Sequence, residues 1–209
     1  MVNHNMKTMK KTIFTLSFLL LAGVALSQNS LTKEEKGRAL AHLKATQSEL
    51  KAVLKGLSAS QLNYRPDSES WSIAECVEHI AITETNIFAI VEMTLKGPTD
   101  PSLRGEVKMS DQQVLSIIES REQKVKTRPE AEPSQKFGGA AESYKAFLAK
   151  RKSNMKFVKT TDQDLRNRYF DFPFGKVDAY QVILFMSGHT RRHVSQIEEI
   201  IASAGYPTM

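Results

Sequence analysis

The chain has 209 residues, 41% hydrophobic and 25% charged, which is enough material for one domain with a sizeable core. Its formal net charge is +6, yet no block of lysine and arginine interleaved with aromatic residues follows, and nucleic-acid binding is not expected. Cys76 is the only cysteine, which excludes an internal disulfide framework and leaves packing to supply the stability.

Residues 1–27 read as a cleavable export signal. Lys7, Lys10 and Lys11 form a basic start, and Ile13 to Leu26 form an apolar run of 14 residues. Such a run is too short to cross a hydrocarbon core of about 30 Å as a helix. Ala25-Leu26-Ser27 then places small residues where a signal peptidase reads them, before Gln28. No cysteine follows, so a stable membrane anchor is not expected, and residues 28–209 are expected in the periplasm or outside the cell. Cleavage removes three lysines and no acid, taking the net charge from +6 to +3.

Every long segment that follows has helical periodicity. Thr32-Lys33-Glu34-Glu35 is a capping box, and Leu40, Leu43, Leu50, Val53, Leu54 and Leu57 continue it as one apolar face. Residues 57–66 form a connector with room for a short turn at 58–61. Ser72-Ile73-Ala74-Glu75 opens a second helix, which Gly97-Pro98 stops. Residues 99–108 read as a loop, and Ser110 caps a third helix running to about Thr127. The stretch from Arg128 to Gly139 has two prolines and two glycines and reads as a surface linker. A fourth helix runs from about Ala141 to Lys159. Residues 161–176, with Tyr169, Phe170, Phe172 and Phe174, fit either an extended segment or a small hairpin. The last helix begins near Asp178 and ends at Gly205. The sum is an all-α, single-domain bundle whose connections favour antiparallel neighbours.

Three histidines stand out within this pattern. His189 and His193 are spaced i, i+4, which stacks both imidazoles on one face of a helix. Two such rings can bind one metal at about 2.0–2.1 Å per Zn–N bond. A third ring from a facing helix, for which His79 is a candidate, would complete a triangle and leave a fourth position open, as catalytic metal sites are usually built. On the second helix Cys76, His79, Thr83 and Asn86 share a stripe; on the last, Met186, His189, His193, Gln196 and Ile200 share another. Spacing alone leaves alternatives. A histidine pair at i, i+4 also occurs on exposed faces, and a lone histidine such as His79 is often a hydrogen-bonded core residue. His42, beside the Leu40/Leu43 face, is expected to be exposed.

The segment Trp71-Ser72-Ile73-Ala74-Glu75-Cys76-Val77-Glu78-His79-Ile80 resembles the second-helix motif of the DinB/YfiT-like superfamily, W-S-[IV]-x-[EQ]-x-[VL]-x-H-[LI]. Residues 57–66 resemble the approach to that helix. His189-Thr190-Arg191-Arg192-His193-Val194-Ser195-Gln196-Ile197 resembles the closing motif H-x-x-x-H-x-x-Q-[IL]. The resemblance runs from about residue 36 to 204. It implies an antiparallel four-helix bundle with an accessory helix, holding a divalent metal, Zn²⁺ or Ni²⁺, on His79, His189 and His193. Gln196 can then orient a ligand or pack between helices. Glu75 can serve as an acid–base group, although its capping box already accounts for it. Cys76 can approach the metal or be a buried apolar-like residue, and Thr83 and Asn86 can line the cavity. Trp71 is expected to anchor the helix entry.

A metal on three histidines can activate water or bind a substrate thiol as thiolate. The resemblance implies both, since relatives include thiol-S-transferases and metal-dependent hydrolases. Small thiol cofactors are kept reduced inside the cell, so export favours a hydrolase of a small-molecule substrate over a thiol transferase. A non-catalytic metal- or ligand-binding bundle is the alternative from another class, and Cys76 as a fourth ligand is its clearest sign. The resemblance is compatible with a homodimer, but no interface is legible in the sequence.

Overall fold

The computed structural model describes Met1 and residues 30–123 and 125–208. The expected export signal, Met1 aside, lies outside the described residues. Most helices begin where a side chain satisfies otherwise free N–H groups. Helix α1, Lys33–Leu54, starts at Thr32: its hydroxyl accepts from the Glu35 N–H at 3.1 Å, and the Glu35 carboxylate accepts from the Thr32 N–H at 2.8 Å. The same reciprocal box opens α2 (Ala59–Asn63) at Ser58, α3 (Ile73–Thr94) at Ser72 and α4 (Asp111–Glu119) at Ser110. Helix α5, Ala140–Thr160, follows Gly139 and has no side-chain cap. Asp178 and Gln181 make the box of α6, Ala179–Ile201.

Several boundaries differ from the sequence reading. Helix α4 ends at Glu119, short of Thr127, and Ser120 turns extended. Residues 120–127 carry little apolar surface to bury as a helix, and Arg121 instead ties the chain to Glu199 of α6 with bonds of 3.1 and 2.6 Å. Helix α6 ends at Ile201 rather than Gly205; the chain beyond closes in turns, where Tyr64 donates to the Ala204 carbonyl at 2.8 Å. Pro101–Glu106, within the expected loop, forms a short 3₁₀ turn. Residues 161–176 resolve into the start of a hairpin: β1 (Tyr169–Phe172) pairs antiparallel with β2 (Gly175–Asp178), from Tyr169↔Asp178 to Phe172↔Gly175. Its aromatic side stacks on α6, with Phe172 and Phe185 rings 4.6 Å apart.

Helices α1, α3, α5 and α6 form the bundle. Both α1 and α3 pack on α5 and α6, so the first two long helices occupy opposite corners, and the 55–72 connection with α2 crosses the end between them. Helix α4 is the accessory helix, laid on α6. Gly188 makes that contact possible: a β-carbon there would stand 2.5 Å from Ile118 Cγ2 and 3.4 Å from Leu115 Cδ2. Ile118 is β-branched and has little rotamer freedom in a helix. Gly188→Ala is therefore expected to cost about 1–3 kcal/mol, read from urea unfolding. A cost near zero would mean that α4 is loosely docked. Among the described residues, no helix is long and apolar enough to cross a membrane.

Two apolar clusters fill the bundle, one around Leu43, Ile87 and Ile183, the other around Leu50, Ile80, Phe147 and Ile197. A polar layer lies between them along each of the four helices: Thr46, Glu84, Arg151 and Thr190. Arg151 and Glu84 have fully buried side chains. The guanidinium donates twice to Glu84 at 2.8 Å, and also to the Leu43 carbonyl, Thr46 and Thr190 at 2.7–2.9 Å. All five of its N–H donors are thereby used.

Candidate metal centre

Helix α3 presents His79, and α6 presents His189 and His193 one turn apart. The three rings converge through their Nε2 atoms. His189 Nε2 lies 3.4 Å from that of His79 and 3.2 Å from that of His193. The cluster is the group of potential metal donors found among the described residues.

The other ring nitrogens decide the protonation. His79 Nδ1 lies 2.7 Å from the Ala131 carbonyl, which can only accept, so Nδ1 carries the proton. His193 Nδ1 donates to the Gln196 side-chain carbonyl at 2.8 Å. Thr83 gives its own proton to the His79 carbonyl at 2.7 Å, which leaves its oxygen to accept from His189 Nδ1 at 3.3 Å. In each neutral imidazole the remaining nitrogen, Nε2, is then a bare lone pair. Three lone pairs facing one another repel unless a cation lies among them. Zn–N bonds of about 2.0–2.1 Å at tetrahedral angles set the nitrogens about 3.3–3.4 Å apart, which the observed spacings match. The donor set therefore fits a divalent transition metal.

Burial keeps the rings in this neutral form. It lowers the pKa of His79 below its ordinary value, against the raising effect of the Ala131 bond. His189 and His193 are pushed well below theirs by burial and by the charge each would place on its neighbours. His79 and His193 are buried and His189 is half-buried. Two aromatic rings wall the cluster: Trp71 lies 4.9 Å from His79 and 6.3 Å from His193, and Phe185 lies 6.4 Å from His189.

The other residues singled out in the sequence divide. Gln196 and Thr83 hold the rings of His193 and His189. Cys76 does not belong to the donor group; it packs with Ile73, Val77 and Ile80 in the core, and burial pushes its thiol up to about 12. Glu75 stays with its cap, accepting from the Ser72 N–H at 2.8 Å and pairing with Arg65. Asn86 is exposed. His42 is not exposed as expected: it is half-buried among α1, α4 and α6, 2.7 Å from Ser187 Oγ and 3.0 Å from Glu119. These partners lie far away in sequence.

Sequence reasoning missed the contribution of 128–139. Far from being only a surface linker, this stretch supplies the Ala131 carbonyl to His79. Glu78, a buried residue, holds it in place. Its carboxylate accepts from the Ser134, Gln135 and Lys136 N–H groups at 3.0, 3.0 and 2.7 Å. A backbone carbonyl carries no side-chain signal, so only the acid beside His79 could have hinted at the strap. Trp71 was legible as part of the motif, but its place against the histidines was not.

The sequence pattern of the DinB superfamily matches residues 42–197. The chain belongs to the DinB superfamily. It is 25% identical over 148 residues to the uncharacterized protein YuaE of Bacillus subtilis (strain 168), covering 70% of this chain and 87% of that protein. Its fold is similar to that of YfiT from Bacillus subtilis, with a TM-score of 0.56 and 18% identity over 85% of this chain and 92% of that one. YfiT is described as "a probable metal-dependent hydrolase with an unusual four-helix bundle topology". That likeness shows the helical-bundle fold shared by the two chains.

Proposed function

We propose that this DinB-superfamily protein is an exported metal-dependent hydrolase of a small substrate, with Zn²⁺ or Ni²⁺ held by His79, His189 and His193. The observation that carries the reading is the convergence of three Nε2 lone pairs whose protons are all placed on the opposite ring nitrogen. A divalent cation there supplies Lewis acidity and activates water near neutral pH. The chain's own residues do the rest: Ala131, Thr83 and Gln196 orient the rings, and Trp71 and Phe185 keep the surroundings apolar. The half-buried His189, and the absence of a fourth protein donor in the cluster among the described residues, favour an open centre over a sealed structural one.

Elemental analysis by mass spectrometry tests this reading. Protein exported from a full-length gene is expected to start at Gln28 and to carry about one transition-metal ion per chain. His79→Ala and His193→Ala are expected to lose it. Metal-free preparations of folded wild-type protein would sink the proposal. Metal-bound protein that transfers small thiols but hydrolyses nothing would reassign it as a thiol-S-transferase.

Glu78→Gln probes the strap. Removing the charge that gathers three N–H groups is expected to lower metal affinity about 10–100-fold, the usual effect of losing a group that orients a ligand. Competition with a chelating dye measures it, and the one-ion stoichiometry should survive. Unchanged affinity would mean that the strap stays in place without Glu78.

A further inference from the structure

Arg151 and Arg192 are the buried arginines among the described residues, and they are held very differently. Arg151, Arg166 and Arg191 each meet carboxylates through two or more hydrogen bonds, and Arg121 holds Glu199 in the same way. Arg192 is only 8% exposed, yet among the described residues its single hydrogen bond runs to the Gln123 carbonyl at 2.6 Å. A guanidinium has five donors and no acceptor. Glu199 attracts Arg192 but already accepts two bonds from Arg121, and Arg121 itself repels Arg192. None of its remaining donors is a buried, unbonded atom among the described residues, so water reaches them and a ligand can replace that water.

Its position gives those free donors a use. Arg192 follows His189 by three residues and directly precedes His193, so it lies along the edge of the histidine face of α6. The groups that orient the three rings are neutral: a backbone carbonyl, an amide and a hydroxyl. No carboxylate touches the rings among the described residues. A divalent cation on them would keep its charge uncompensated, and Trp71 and Phe185 make the surroundings poor at screening it.

We propose that the site takes an oxyanionic small molecule, a carboxylate or phosphate ester, whose anionic group pairs with Arg192. This rests on the metal reading above and names its substrate class. The planar fork of arginine matches either oxyanion.

Calorimetric titration of the full-length, Zn²⁺-loaded protein with acetate and, separately, inorganic phosphate at constant ionic strength tests the assignment. The two arms separate carboxylate from phosphate recognition. Arg192→Met is expected to weaken the preferred anion about tenfold to hundredfold, with Arg192→Lys falling between. Metal content should stay at that of the wild type. The melting temperature of Arg192→Met should stay near that of the wild type, because a side chain held by one protein hydrogen bond is replaced by an apolar one of similar length. A merely structural arginine would give the reverse: a lower melting temperature and unchanged anion affinity. Wild-type affinity in Arg192→Met, or no anion binding by the wild type, overturns the proposal. Absence of metal in the wild type overturns the metal reading instead, and the comparison of wild type with Arg192→Met then proceeds on the metal-free protein.

Discussion

Zn²⁺ at a hundredfold excess over its dissociation constant is expected to raise the unfolding free energy of the protein by about 2.7 kcal/mol, and His193→Ala is expected to abolish that gain. Urea unfolding with and without a chelator reads both. The pH dependence follows from the depressed histidine pKa values. Unfolded histidines titrate near 6.5, whereas in the folded protein the three rings stay neutral to lower pH. Above about pH 6.5 both states are neutral and the metal-free protein has its full stability. As the pH falls from there through the folded values, the unfolded chain binds more protons and stability is lost. The same depression moves proton competition for the metal to lower pH than an ordinary histidine would give, so occupancy should change little between pH 7 and pH 6. Release of metal between pH 7 and 6 would show that the rings are less buried than the structure has them.

Glu84→Ala is expected to destabilise the bundle by about 3–5 kcal/mol. It leaves the Arg151 guanidinium fully buried without its carboxylate, while Leu43, Thr46 and Thr190 still hold it in place. Replacing both partners, Glu84→Leu with Arg151→Met, should recover most of the loss or exceed wild-type stability, since the charge no longer needs solvation. Wild type, Glu84→Leu, Arg151→Met and the double variant form a double-mutant cycle, measured by urea unfolding. A loss below about 1 kcal/mol for Glu84→Ala would mean that water reaches the pair. The polar layer spans all four bundle helices, so its contribution to holding α1 and α3 at opposite corners can be read in the same cycle from whether the double variant still unfolds cooperatively.

Much of the fold was legible because its determinants are local. The boxes at Thr32, Ser72 and Ser110 join residues three apart, so the helix starts follow from short stretches of sequence. The i, i+4 spacing of His189 and His193 likewise puts both rings on one face whatever the rest of the chain does. His79 needed more. Periodicity placed it on a polar stripe of a helix, but only the family motif linked that stripe to the other pair.

What stayed illegible depends on partners distant in the chain. The end of α4 at Glu119 is set by Arg121 reaching Glu199. His42 looked exposed because Ser187 and Glu119, which bury it, are 145 and 77 residues away. Arg151 sits in a helix with basic flanks, and nothing nearby announces that it meets Glu84, 67 residues back.

The sequence by itself determined the helical class, where most helices begin and the shared face of His189 and His193, because capping and helical periodicity act over one or two turns; His79 joined them through the family motif. Tertiary structure alone decided the bundle's order of neighbours, the buried Arg151–Glu84 layer and the protonation of the histidines. The last depends on the Ala131 carbonyl, Thr83 and Gln196 reaching each Nδ1, and for His79 that partner is a backbone atom 52 residues away. A hydrogen bond that fixes a tautomer depends on a few tenths of an ångström between separate elements, and such distances exist only once the core has packed.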